Sequence, residues 1–200
     1  MIGTIVFDIG NVLIRFDWEG YIRRVLDDPD AIAEAEDAIW GHGLWVELDR
    51  GVMSDEEILE GFIAHAPSRE REIRLLWDRI GECVHKLDYA IPWIQNLKDA
   101  GRRVLYLSNY SRRIRDANPG ALDFLPLMDG GVFSCDVGLI KPDRAIYAKL
   151  CETCGLTPSE CLFIDDVAEN VKGALDYGFQ AFRFQSCEQA RARIEDLLRG

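Results

Sequence analysis

Thr4-Ile5-Val6-Phe7-Asp8-Ile9-Gly10-Asn11-Val12-Leu13 is the stretch on which the fold turns. An apolar run of β-formers ends in a carboxylate and then bends at once on Gly and Asn. A buried parallel strand delivers an acid in this way to the carboxyl edge of an α/β sheet, where such folds bind ligands. Asp8 is therefore placed for chemistry by its strand. Gly10, two positions on, bears on what that chemistry is.

Outward from Gly3 to Phe7, four more short apolar or aromatic runs read as strands: Arg103 to Leu107, Gly131 to Ser134, Cys161 to Ile164 and Gln180 to Phe184. Helical patterns separate the last four. That alternation predicts a Rossmann-like α/β fold with a doubly wound parallel sheet. Several helix ends are signalled. Ser54-Asp55-Glu56-Glu57 is a capping box ahead of Ile58, Leu59 and Phe62. Lys141-Pro142-Asp143 places a proline at a first helical turn. Ala168 to Tyr177 stops at Gly178, and Ser186 with Gln189 caps the last helix.

About ninety residues separate the first strand from the second, against roughly 30 for a whole βαβ unit. The intervening sequence is helical in pattern and carries Trp18, Trp40, Trp45 and Trp77. It predicts a small α-helical cap, residues 16–86, inserted after the first strand of a core made of residues 1–15 and 87–200. The tryptophans recur at helical spacing with apolar neighbours, so most are packing.

The chain has 200 residues and a net charge of −12. That charge argues against nucleic acid or a membrane surface as partner, since both are polyanions. An anionic substrate would need local positive charge. The six cysteines include one C-x-x-C, Cys151-Glu152-Thr153-Cys154, with no second pair to complete a zinc site. They read as core thiols, which suit a reducing cytoplasm. Met1-Ile2-Gly3-Thr4 runs straight into a strand, so no secretory leader is expected, and no apolar run approaches membrane-span length.

Four groups fall at strand ends and converge on one sheet edge: Asp8, Ser108-Asn109, Lys141, and Asp165-Asp166 with Asn170 beyond. Each alone has a plain structural account. Asp8, Asp165 or Asp166 can cap a helix, Ser-Asn is a common loop dipeptide, and a lysine before proline is usually solvated. Together they form a phosphate-handling set. Adjacent acids hold a hard divalent cation such as Mg2+. Serine and lysine neutralise phosphoryl oxygens. A carboxylate can attack phosphorus.

With these groups in this order, the chain resembles the haloacid dehalogenase superfamily of phosphatases along nearly its whole length. The resemblance implies Asp8 as nucleophile, forming an aspartyl-phosphate. Ser108 and Asn109 would grip the phosphoryl group, and Lys141 would hold it against Asp8. Asp166 with Asp165, Asp8 and the Gly10 carbonyl would bind Mg2+. The helical insertion would be a cap that selects substrate. Phe7 to Val12, Asp49-Arg50-Gly51 with Ser54-Asp55-Glu56, Leu107-Ser108-Asn109 with Arg112, Asp136-Val137-Gly138 with Lys141-Pro142, and Phe163 to Asp166 with Asn170 are similar to the bacterial alpha-D-glucose-1-phosphate phosphatase branch. That implies a small phosphorylated metabolite, probed through Arg112, and a monomer or weak homodimer.

Most phosphatases of the superfamily have Asp where this chain has Gly10, and use it to protonate the leaving alcohol. Three readings follow. A phosphatase would rely on an easy leaving group, such as the hemiacetal of an anomeric sugar phosphate. Alternatively water, or an acid from the insertion such as His42, Glu47 or Asp49, would stand in. A haloacid dehalogenase also starts with carboxylate attack and lacks that Asp, but has no use for the pair Asp165-Asp166. A catalytically silent phosphate- or protein-binding module would have no reason to keep Asp8, Ser108, Lys141 and Asp166 together. Of the nearby arginines, Arg112 matches the branch, whereas Arg113 and Arg115 read as surface residues.

Overall fold

A computed structural model describes residues 2–199. In chain order the elements are β1 (Thr4–Phe7), β2 (Ile14–Phe16), α1 (Trp18–Val25), α2 (Pro29–Trp40), α3 (Leu44–Arg50), α4 (Asp55–His65), α5 (Glu70–Asp78), β3 (Val84–Lys86), α6 (Ala90–Asp99), β4 (Arg103–Ser108), α7 (Arg112–Ala117), β5 (Gly131–Phe133), α8 (Ser134–Val137), α9 (Arg144–Cys154), β6 (Cys161–Asp165), α10 (Ala168–Tyr177), β7 (Gln180–Arg183) and α11 (Cys187–Arg199). Five strands form one parallel sheet in the order β5-β4-β1-β6-β7. The fold is the α/β doubly wound class expected from the strand spacing.

β1 is central because its residues are apolar on both faces. Ile5 and Phe7 point into one apolar cluster, with Trp93 and Ile94 of α6. Val6 points into the other, with Tyr147 and Leu150 of α9 and Ala174 of α10. This alternation of side chains on a sheet covered on both sides makes the strand a continuous hydrophobic run. From β1 the chain adds β4 and β5 on one side, then β6 and β7 on the other. The reversal leaves a crevice at the carboxyl ends of β1 and its neighbours.

α1 to α5 lie between β2 and β3, which pair antiparallel with Ile14 opposite Lys86 and Phe16 opposite Val84. This ribbon was not expected from the sequence, because three-residue strands are too short to show a period. Leu48, Ile58, Phe62, Ile73 and Trp77 from the insertion share the apolar cluster of Ile5 and Phe7. The capping box forms: the Glu57 N–H donates to Ser54 Oγ at 3.2 Å, and the Ser54 N–H to Glu57 Oε2 at 2.8 Å. α10 ends on Gly178 in the left-handed region, and the Gln189 N–H donates to Ser186 Oγ.

Two expectations need correction. Pro142 is not in a first helical turn: α9 begins at Arg144, after a cis Lys141–Pro142 bond. The cause is Asn109, whose side-chain amide accepts from the Lys141 N–H at 2.8 Å and donates to the Lys141 carbonyl at 3.1 Å. That pairing ties the main chain of Lys141 to the β4 loop, and the helix starts beyond it. The third sheet strand stops at Phe133, and Ser134 opens α8. Ser134 Oγ accepts from the Tyr110 N–H and donates to the Asp49 carbonyl at 2.5 Å.

Candidate active site

Asp8 follows β1 directly, and Asp165 ends β6 beside it. Between them lies Lys141, whose Nζ is 2.8 Å from Asp8 Oδ1 and 2.6 Å from Asp165 Oδ2. Asp8, Lys141 and Asp165 are 6%, 3% and 0% exposed. Three charges this buried persist only because each faces an opposite charge and hydrogen bonds. Asp8 Oδ1 also accepts from the Ile9 N–H at 2.7 Å. Asp165 accepts from the Val167 N–H at 2.8 Å and from Asn170 Nδ2 at 3.1 Å, so it also secures the entry to α10.

Asp166 differs from Asp165. It lines a cavity of about 190 Å³ over the sheet edge, and its Oδ2 accepts from Asn11 Nδ2 at 3.3 Å. Asp8, Asp165 and Asp166 each place an oxygen within 4.8 Å of the others. Three carboxylates against one ammonium, with no sulfur or imidazole, is a donor set for a hard divalent cation. Asp165 already has its oxygens bonded, so Asp8 and Asp166 are the more open members. Gly10 lines the same cavity, and a Cβ there would meet only Asp8 Oδ2, at 4.0 Å.

The electrostatics follow burial. Desolvation pushes Asp8 up to about 7, against the pull of Lys141 and helped by Asp165 and Asp166. Asp166 is raised by burial and by Asp165. Burial works against the charge on Lys141, but Asp8 and Asp165 outweigh it and hold its pKa above the usual lysine range.

Ser108 ends β4 and is fully buried, with no partner for its hydroxyl among the described residues. Ser108 itself does not line the cavity, whereas the next residue, Asn109, does, so the unpartnered hydroxyl lies one residue from the cavity wall. Asn109 lines the cavity and holds Lys141 through its amide. Arg112 is not brought to the cavity: it is exposed and donates to the Cys135 carbonyl at 2.6 Å. Arg113 reaches the Trp77 carbonyl and Arg115 pairs with Asp136. Among the described residues, Lys141 is thus the one Lys or Arg lining the cavity.

Of the insertion acids, His42 pairs with Asp37 and stacks on His65, and Glu47 pairs with Arg50, both off the cavity. Asp49, half-buried in the last turn of α3, lines it. Burial and the charge of Asp8 push the Asp49 carboxyl up to about 7. Ile14, Phe16, Trp45 and Ile114 give the cavity an apolar wall. Trp40 stacks between Trp18 and Trp45, and Trp77 packs against Phe62. Sequence reasoning missed Asn11 as a contact of Asp166 and Ser134 as a bridge between Asp49 and the β4 loop. Asn11 carries one legible signal, a residue type that tolerates the left-handed region it adopts at φ 53; Ser134 carries none. Cys151 and Cys154 pack against an apolar cluster, and burial pushes both thiols up. All six cysteines are free.

A doubly wound parallel sheet with a buried carboxylate–lysine–carboxylate cluster beside a cavity defines a Rossmann-like hydrolase. The chain belongs to the haloacid dehalogenase-like hydrolases, whose family model matches residues 2–178. It is 30% identical to phosphatase MT3486 of Mycobacterium tuberculosis, over 95% of this chain and 90% of that protein. It is 31% identical to (S)-2-haloacid dehalogenase 4A of Burkholderia cepacia, over 89% and 80%. A HAD-like family hydrolase from Porphyromonas gingivalis superposes with a TM-score of 0.81 at 29% identity, covering 100% of this chain and 99% of that one. No helix among the described residues is long and apolar enough to cross a membrane.

Proposed function

We propose that the protein is a Mg2+-dependent phosphatase acting on a small phosphomonoester, a sugar phosphate such as glucose 1-phosphate, in the cytoplasm. One observation carries the reading: Asp8 lines the cavity with Lys141 2.8 Å away and the carboxylate of Asp166, also lining it, beside them. Asp8 would attack phosphorus to form an aspartyl-phosphate, which water then hydrolyses. Lys141 would balance charge on the transferring group, and the orphan hydroxyl of Ser108 and the amide of Asn109 would orient it. Asp8, Asp166 and the Gly10 carbonyl would hold Mg2+, with Asp165 fixing Lys141 and the α10 entry behind them. When bound, the cation neutralises phosphoryl charge. Residues 16–86 would act as a cap over a core of residues 1–15 and 87–200, keeping bulk water out during transfer.

The likeness to a dehalogenase and the glycine at position 10 favour a second reading, carboxylate attack on a haloacid carbon. The accessible Asp166 argues against it, because that reaction needs no cation. A panel of sugar phosphates, nucleotides and 2-haloacids, assayed with Mg2+ and with EDTA, separates the two. Phosphate release that requires Mg2+ supports the phosphatase, with glucose 1-phosphate turned over faster than glucose 6-phosphate. Halide release that survives EDTA overturns it. Asp8→Asn should abolish turnover and leave the fold intact; an active variant would sink the mechanism.

A further inference from the structure

We propose that Asp49, carried on the last turn of α3, is the general acid–base of this site and replaces the carboxylate missing at position 10. The inference rests on the phosphatase reading above. Among the acids lining the cavity, Asp8 is held by Lys141 and Asp166 by Asn11, and both belong to the cluster that fits a cation. Asp49 lines the same cavity, stands outside that cluster, and pairs with no Lys, Arg or His among the described residues. It is also held in place. Ser134 Oγ donates to its carbonyl, and α3 ends on Gly51, which is in the left-handed region and close against Cys135. A carboxylate with no ion-pair partner among the described residues, mounted on a pinned helix end and lining the same cavity as Asp8, has the position the chemistry needs. Its pKa, raised by burial and by Asp8, is near neutrality, where a group both gives and takes a proton.

The steps balance. A carboxylate oxygen of Asp8 bonds to phosphorus, and the ester P–O bond breaks. Its electron pair stays on the leaving oxygen, which takes the proton of the Asp49 carboxyl. The product alcohol departs. Asp49, now a carboxylate, removes a proton from water as the water oxygen bonds to phosphorus. The bond from phosphorus to Asp8 breaks, its electron pair returns to the Asp8 carboxylate, inorganic phosphate leaves, and Asp49 is again protonated.

The test is the first chemical step, followed by rapid quench under single-turnover conditions with phosphomonoesters of graded leaving-group basicity, from p-nitrophenyl phosphate to an alkyl phosphate. Asp49→Asn should react with p-nitrophenyl phosphate within a few-fold of the parent, because a nitrophenolate leaves without a proton. It should lose on the order of 10²–10⁴-fold with the alkyl ester. Asp49→Glu should recover part of that loss. An equal loss across the series, or none, would overturn the inference, and melting curves of both variants identify a general folding defect. If the parent itself releases no phosphate from any ester, it is the phosphatase reading that fails. A parent that is active while Asp49→Asn shows an unchanged leaving-group slope defeats the role of Asp49 alone.

Discussion

At the residue scale, Ser108 is where the needs of the fold and of the proposed function can be told apart. Its hydroxyl is fully buried and bonds to nothing described. A buried hydroxyl without a partner does not stabilise a fold, and replacing it with hydrogen is close to neutral or mildly favourable. A hydroxyl that meets a transferring phosphoryl group lowers the barrier instead, and removing one such donor costs about 10²-fold in rate. Ser108→Ala should therefore keep or slightly raise the melting temperature while kcat/KM falls by about two orders of magnitude. Calorimetry beside steady-state kinetics checks both halves. A variant that loses stability and keeps its rate would mean that the serine serves packing.

At the element scale, α3 brings Asp49 to the cavity, and a glycine sets the helix end. Gly51 has φ of +72°, and a Cβ there would come within 2.7 Å of the Cys135 main chain. Gly43, before the same helix, has φ of +77° but open space around it. Gly51→Ala should destabilise by about 1–3 kcal/mol through strain and collision, displace Asp49 and reduce turnover. Gly43→Ala should show strain of about 1 kcal/mol and keep its turnover. Urea unfolding with activity measured on the same samples distinguishes the pair. Equal effects from both would show that the contact with Cys135 does not position α3.

These elements also show where legibility ended. The sheet strands and the places of Asp8, Ser108, Asn109 and Asp166 at their ends were readable because a parallel strand writes its burial as an apolar run and its ligand edge as the next residue. Lys141, expected at a strand end, instead follows α8 in a loop that Asn109 holds. Arg112 was assigned to substrate by its match to the family branch, but the start of α7 turns it toward the Cys135 carbonyl. Asp49 was one of three acids that the sequence could not rank. Which face of a short helix looks at a distant strand end depends on the packing of α3 against α4 and α8, and no local period records that.

At the scale of the whole molecule, the buried acids of the site should set the pH dependence of stability. The chain carries a net charge of −12 and places acids where burial works against ionisation. Asp8 and Asp49 are both raised from 3.8 to about 7. A carboxyl raised in the folded state holds its proton more tightly there than in the unfolded chain. Its contribution is complete below the ordinary carboxylate range and is lost as pH rises toward 7. Asp17, held low by Arg24, and Asp136, held low by Arg115, work in the opposite sense and lose their contribution as pH falls through their depressed values. The metal-free protein should therefore be most stable on the acid side of neutrality, with its melting temperature falling between about pH 5 and 7. Asp8→Asn should flatten that fall by removing one of the raised carboxyls, leaving Asp49 and Asp166. Mg2+ should also flatten it, since a cation that binds the ionised carboxylates stabilises the folded state in proportion to its occupancy. Melting curves across pH for both proteins, with Mg2+ and with EDTA, test this. A metal-free melting temperature that climbs steadily from about pH 5 to 8 would mean that the paired surface carboxylates, not the site, dominate the balance.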